Sequence, residues 1–318
     1  MKWALGVDFG GTSLKLARVN ELGRIEARDQ VETRTIGSPA AWLDIVERVL
    51  TDPGWTRSGV GTAPCGIGVG VPGFVDFERG FIHELTNISG WVGVPLVRLL
   101  EDRFQIPAVV DNDANAMAVG ETRFGIGKGY RHAVFVTLGT GVGGALLLNG
   151  SLYRGACSMA GEIGHVSIDW QGSRSPQGRG TLEREVGNQQ IVENALRRIA
   201  DGTAPGLARR AGGDRSGITP KWISDAAKEG DPAAIGIFDE TADALAAAFA
   251  SITYVLQPQV FIVGGGVAQS GDVLFGPLRR HLKERLSPYF AERVEVRPAQ
   301  LGADAGVIGA AALVLPGF

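Results

Sequence analysis

The chain has 318 residues, 47 of them glycine, with 44% hydrophobic and 20% charged residues and a formal net charge of -3. That apolar content builds a large core and excludes a disordered chain, while glycine without a three-residue period and only 15 prolines exclude collagen. The charge balance gives no electrostatic footprint for nucleic acid or an anionic membrane, and the two isolated cysteines, Cys65 and Cys157, provide neither a disulfide framework nor C-x-x-C metal spacing.

Residues 3–8, 14–19 and 24–31 alternate in strand fashion about two turns and read as an antiparallel meander. Ser38-Pro39 then supplies a cap and a first-turn proline, and Trp42, Ile45, Val46, Val49 and Leu50 follow at helical spacing on one face. A strand at 66–71, a helix at 95–104 and a strand at 107–110 ending at Asp111 complete the order βββαβαβ. After a helix at 114–122 a similar series restarts, with strands at 133–138 and 144–148 around a second glycine-rich turn. Helices are expected at 189–198, 220–227, 233–256 and 273–286, and strands at 260–263 and 294–296. Residues 202–217, rich in Gly, Arg and Asp without an apolar period, read as a surface loop. The two glycine turns, at 8–12 and 138–144, sit at corresponding places in the two halves, which predicts a structural duplication without a sequence repeat. The apolar stretches at 60–75, 133–150 and 244–256 fall short of the ~20 residues of a spanning helix, and the brief apolar start is interrupted by Asp8. No membrane segment or secretory signal is expected, and the reducing cytoplasm is the expected location.

Turns without Cβ atoms let backbone N–H groups approach phosphate oxygens, and Thr12, Thr140 and Lys15 bring further donors to them. Neither turn is a Walker A loop or a dinucleotide fingerprint, and each taken singly reads more readily as an ordinary hairpin turn than as a phosphate loop. Asp8 adds a carboxylate that either caps the first turn or holds a nucleotide-borne Mg²⁺, directly or through water. Asp111-Asn112-Asp113-Ala114-Asn115-Ala116 straddles a strand end and a helix start, so Asp113 serves either as a helix cap or as a base for a hydroxyl attacking a phosphoryl group. Glu162 and His165, between glycines, form a donor and acceptor set of the kind that binds polyols.

Taken in order, these segments resemble the ROK family of sugar kinases and sugar-responsive repressors. The matching residues are Asp8-x-Gly10-Gly11-Thr12-x-x-Lys15, Val71-Pro72-Gly73, Asn112-Asp113-x-Asn115 with Gly120-Glu121, Leu138-Gly139-Thr140-Gly141-x-Gly143-Gly144, Glu162-x-Gly164-His165 and Gly264-Gly265-Gly266. The resemblance covers essentially the whole chain. It implies an α/β, actin-like ATPase fold of the hexokinase type, ribonuclease H-like, with two α/β domains around a central cleft: residues 1–112 plus a C-terminal helix at 303–318, and residues 113–302. It also implies ATP-dependent transfer of phosphate to a hexose hydroxyl, glucose first, giving glucose 6-phosphate. On the family pattern Asp113 is the catalytic base. Asp8, Gly10, Gly11, Thr12, Lys15, Gly139, Thr140 and Gly141 lie at the phosphates, with Mg²⁺ at Asp8, and Gly264, Gly265 and Gly266 at the adenosine. Gly73, Asn87, Asn112, Asp113, Glu162, His165 and Glu183 surround the sugar.

The sequence departs from the family in one respect. The family's Glu-x-Gly-His is usually followed by C-x-C-G-x-x-G-C-x-E, whose cysteines join the histidine at a structural zinc. Here Gly178-Arg179-Gly180-Thr181-Leu182-Glu183 occupies that place, with Thr181 at the last cysteine and no cysteine after Cys157. One histidine cannot complete a four-ligand site, so no zinc is expected and other packing must hold residues 169–180. The same sugar-side residues suit kinases of N-acetylmannosamine, N-acetylglucosamine, fructose or mannose. Zinc-less members also include polyphosphate users, although the arginines at 174, 179, 184, 197, 198, 209 and 210 form no obvious track. A sugar-sensing repressor is the alternative of another class; it is disfavoured because the first turn begins at Asp8, leaving no room before it for a helix-turn-helix. The expected partners are therefore a hexose and ATP, with no nucleic acid, and the family resemblance implies a homodimer.

Overall fold

The strands Trp3–Phe9 and Ser13–Asn20 pair antiparallel around the first glycine turn, and Ile25–Glu32 pairs antiparallel with the second of them, as the alternation predicts. The other edge of Trp3–Phe9 runs parallel to Ile67–Val71, which runs parallel to Ala108–Asn112. This computed structural model describes residues 2–56, 63–86, 88–176 and 178–316. The chain divides into two units, one of residues 1–129, 151–160 and 300–318, the other of residues 130–150 and 161–299.

In the first unit, helix Pro39–Thr51 starts at Ser38, whose hydroxyl accepts from the Ala41 N–H at 3.2 Å, and buries Trp42, Leu43, Val46 and Val49. Trp42 meets Phe9 and Trp91 in an aromatic cluster with centroid separations of 4.9 to 6.1 Å. A small sheet of Gly73–Asp76, Phe81–Leu85 and Val92–Val94 was not legible in the sequence, because strands of three to five residues show too little alternation.

The C-terminal helix Ala305–Ala312 lies directly on the five-stranded sheet that contains Trp3–Phe9 and Ile67–Val71. A Cβ at Gly6 would come within 2.1 Å of the Val307 carbonyl oxygen, and one at Gly68 within 1.8 Å of the Ala310 carbonyl oxygen. The same helix crosses Asp113–Phe124 at Gly309 and Gly120, where a Cβ at Gly309 would stand 1.8 Å from the Ala116 carbonyl oxygen. Backbone therefore packs on backbone, which only glycine permits. Arg123 fastens the crossing by donating to the carbonyls of Ala312, Leu315 and Pro316. These contacts put helix Asp113–Phe124 in the first unit, so the chain passes into the second unit after residue 129 and not at the expected 112.

The second unit repeats the pattern. Ala133–Leu138 and Val142–Leu148 form a hairpin around the second glycine turn, and Val260–Gly264 runs parallel to the first of these on one side and to Glu295–Pro298 on the other. Each unit thus has a hairpin whose first strand is flanked by two successive parallel strands, the duplication anticipated from the two turns. The long helix Pro232–Leu256 begins at Asp231, which accepts from the N–H groups of Ala233 and Ala234, and stacks Phe249 on Phe261 at 4.2 Å.

One loop expectation is corrected. Within residues 202–217 lies helix Pro205–Ala211, with proline at its first position and left-handed Gly212 at its end. Its single buried anchor, Leu207, is too little to give a visible period. Among the described residues no helix is long and apolar enough to cross a membrane.

Candidate active site

Around the first turn, Gly10 N–H donates to the Ser13 carbonyl at 3.0 Å, and Thr33 fixes the loop from outside through its hydroxyl to the Gly10 carbonyl and its N–H to the Thr12 carbonyl. A Cβ at Gly11 would meet no atom within 4 Å, so packing inside the chain does not require glycine there. Asp8 and Lys15 are cross-strand partners; the Lys15 ammonium lies 3.9 Å from the carboxylate and donates to the Ala303 carbonyl. Burial pushes the Asp8 carboxyl above its ordinary range, and Lys15 opposes that shift. The carboxylate fills the space that a Cβ at Gly306 would need, 2.7 Å from Oδ2.

At the end of Ala108–Asn112 the chain turns straight into Asp113–Phe124. Asn112 caps the helix with its Oδ1 on the Ala114 N–H at 2.9 Å, Asp113 Oδ1 shares that donor at 2.8 Å, and Asn112 Nδ2 reaches the Gly73 carbonyl at 3.4 Å. Gly73, Asn112 and Asp113 are thereby brought together; Asn87 lies outside the described residues. Asp111, fully buried beside them, is held by two hydrogen bonds from Arg154. Sequence reasoning missed Arg154, which no motif marks. The one available signal was a carboxylate inside an apolar strand, which requires a partner.

In the second unit, Gly139 N–H closes on the Gly141 carbonyl at 3.0 Å and the Gly139 carbonyl accepts from Asn188 N–H, which fixes the turn carrying Thr140. Glu183 packs against this turn: its Oε2 accepts from Val142 N–H at 2.9 Å and would be 2.5 Å from a Cβ at Gly141. Glu162 and His165 flank the short helix Ile163–His165 with Oε2 and Nδ1 3.9 Å apart. Burial raises the Glu162 carboxyl, His165 opposes, and the Glu183 charge adds to the rise, so the three sit within electrostatic reach of one another. Gly164 is required by packing, since a Cβ there would lie 2.3 Å from the Val142 carbonyl oxygen.

Between residues 166 and 182, backbone hydrogen bonds close the loop. Leu182 N–H donates to Val166, Ile168 and Asp169 both donate to Gly180, and Gly180 donates to Ser173. Arg174–Ser175 and Gly178–Arg179 pair as two short strands, and Thr181, 1% exposed, fills the interior.

Gly264 ends its strand, and Gly265, at φ +89°, approaches the Leu138 backbone so closely that a Cβ would be 2.2 Å from its carbonyl oxygen. Gly266 opens onto a cavity of about 270 Å³ lined also by Asn188, Thr219, Lys221, Ser224 and Gln269. Asn188 Oδ1 and Ser224 Oγ are buried there without a hydrogen-bond partner, an arrangement that suits a ligand with polar edges. These lining side chains carry no motif and were also missed.

A family model described as ROK family matches residues 4–316. The chain belongs to the ROK family. It is 35% identical to the glucokinase of Halalkalibacterium halodurans over 98% of this chain and 95% of that one, and 34% identical to the glucokinase of Thermotoga maritima over 98% and 96%. Among solved structures it is similar to a ROK family glucokinase from Streptomyces griseus in complex with glucose and AMPPNP, with a TM-score of 0.83 and 34% identity over 99% of this chain and 100% of that one. The two α/β units of this ROK chain have the actin-like ATPase fold that its motifs imply.

Proposed function

We propose that this ROK chain is an ATP-dependent glucokinase, a hexose kinase that transfers the γ-phosphoryl group of ATP to glucose and yields glucose 6-phosphate. The observation that carries the reading is the match along the full length of a glucokinase crystallised with glucose and AMPPNP.

In the proposed reaction Asp113 orients the sugar hydroxyl and takes its proton late in transfer. Its place at the helix start supports this role, because Oδ1 is already held by the Ala114 N–H and the carboxylate is steered by the cap. Gly73, Asn112, Glu162, His165 and Glu183, with Asn87, contact the sugar; Glu183 keeps Oε2 on the turn and gives Oε1 to the substrate. The N–H groups of Gly11, Thr12, Thr140 and Gly141, together with Lys15, stabilise charge on the phosphates, on turns that the Gly10 and Gly139 N–H groups hold closed. The absence of any packing demand for glycine at Gly11 supports that use. Gly264, Gly265 and Gly266 with the adjoining cavity take the adenosine, where Asn188 and Ser224 gain partners.

Asp8 would hold, directly or through water, a Mg²⁺ carried by ATP, which would neutralise charge on the phosphates. A single carboxylate such as Asp8 fits a cation that keeps water and phosphate oxygens as most of its shell. ATP is favoured over polyphosphate by the likeness to a glucokinase in complex with AMPPNP; Arg197, Arg198 and Arg210 are engaged by Asn194, Glu240 and Glu229. A cytoplasmic homodimer in sugar catabolism completes the reading; the touching rings of Tyr254, Tyr289 and Phe290 offer it an apolar face.

The test is ADP release from MgATP across glucose, mannose, fructose, N-acetylmannosamine, N-acetylglucosamine and no sugar. Glucose is expected to give the highest kcat/KM. No sugar-stimulated turnover with any of them overturns the kinase reading.

A further inference from the structure

One charged pair outside the family motifs is built into the acceptor side of the first unit. Asp111 is 1% exposed and receives four hydrogen bonds. Asn112 N–H and Asn115 Nδ2 both donate to Oδ1 at 2.8 Å, while Arg154 Nε and Nη2 donate to Oδ2 at 2.9 and 2.7 Å. The guanidinium of Arg154 lies over the Phe77 ring, 3.6 Å from its centroid, and Phe77 N–H donates to Ser158 Oγ at 3.3 Å. Phe77 follows strand Gly73–Asp76, whose Gly73 carbonyl takes the Asn112 amide. The contacts close a ring through Arg154, Asp111, Asn112, Gly73 and Phe77.

A buried ion pair adds little stability over an apolar replacement of the same shape, because desolvation consumes most of the attraction. Such a pair supplies geometry instead. Through Oδ1, Asp111 grips the main chain of Asn112 and the side chain of Asn115, one on each side of Asp113. Burial pushes the Asp111 carboxyl above its ordinary range and Arg154 opposes that shift, while the four donors directed at its two oxygens use both as acceptors.

Resting on the glucokinase reading, we propose that Arg154 is a positioning residue for phosphoryl transfer: by holding Asp111 it sets the strand-to-helix turn that presents Asn112 and Asp113 to the sugar. Arg154 acts through Asp111 and not on the substrate itself.

The test compares wild type with Arg154→Ala, Arg154→Lys and the double variant Asp111→Asn/Arg154→Ala in steady-state assays with glucose and MgATP, alongside urea unfolding. Arg154→Ala is expected to lower kcat and raise the glucose KM, so that kcat/KM for glucose falls roughly 10- to 100-fold while the ATP KM stays within about twofold. Arg154→Lys, which keeps the charge but not the fork, falls between, and the double variant is no worse than Arg154→Ala. Added guanidinium ion restores part of the lost kcat in Arg154→Ala, a recovery that a merely structural role does not predict. If Arg154→Ala fails to fold, the lysine and double variants carry the comparison. Folded variants with glucose kcat/KM within about twofold of wild type, or a double variant clearly worse than Arg154→Ala, overturn the inference while the glucokinase reading stands. A wild type without sugar-stimulated turnover overturns both.

Discussion

The buried carboxylate of Glu121 accepts the N–H of Leu301 at 2.7 Å, joining two points 180 residues apart. Its other oxygen accepts Ile126 N–H at 3.0 Å, so one side chain holds both the segment leaving the first unit and the segment returning to it. Glu121→Ala strands two N–H groups and is expected to destabilise the protein by about 2–4 kcal/mol in urea unfolding. A change below about 0.5 kcal/mol would show that water or relaxed backbone replaces the carboxylate.

Two glycines separate packing from chemistry. Gly309→Ala drives a Cβ into the Ala116 carbonyl and is expected to destabilise by about 3 kcal/mol or more, whereas Gly11→Ala meets no atom and should unfold within about 0.5 kcal/mol of wild type. Gly11→Ala nevertheless should raise the ATP KM about tenfold, by keeping the loop amides from the phosphates. Wild-type kinetics in that variant would remove the first turn from the nucleotide site.

Asp113→Asn keeps the shape of the cap and removes the proton acceptor. Glucose binding by titration should stay near wild type while kcat falls about 10²- to 10⁴-fold. Near wild-type turnover would assign the base elsewhere.

The raised carboxyl of Asp8 gives a prediction in pH. A folded-state pKa above the unfolded one means that the folded state holds the proton more tightly. Asp8 therefore contributes favourably at acid pH, and that contribution is lost as pH rises from the ordinary carboxylate range through the raised value. Asp8→Asn should raise Tm at neutral pH, with the gain shrinking as the pH falls, and should lower kcat/KM with MgATP. A variant less stable than wild type at neutral pH would mean that the Lys15 pairing outweighs burial.

Glu162 is raised by the same cause, and the proposed sugar contact uses its ionised form. Glucose affinity should therefore weaken as pH falls, beginning above the ordinary carboxylate range, and Glu162→Gln should flatten that limb. An unchanged limb in Glu162→Gln would remove Glu162 from the sugar site.

What the sequence made legible was local. Both hairpins followed from strand alternation broken by glycine, and Asp8, Asp113, Glu162 and His165 stood in short motifs whose residue types already suggest phosphate and polyol chemistry. Arg154 was invisible because its partner is 43 residues away and its contact is made by tertiary packing alone. Gly6 and Gly68, beneath the terminal helix, and Gly309, within it, are required by tertiary contacts that no local pattern shows. Helix Pro205–Ala211 has one anchor, and a period needs at least two.

The backbone contact of the terminal helix with Gly6 and Gly68 has a consequence for biosynthesis. The sheet of the first unit leaves the ribosome early, yet the helix that covers it belongs to residues 300–318, which follow nearly all of the second unit. The glycine-lined face must stay uncovered while residues 130–299 are made and begin to fold. The half that starts first is finished last, and during translation its bare sheet is the surface that a chaperone would have most reason to shield.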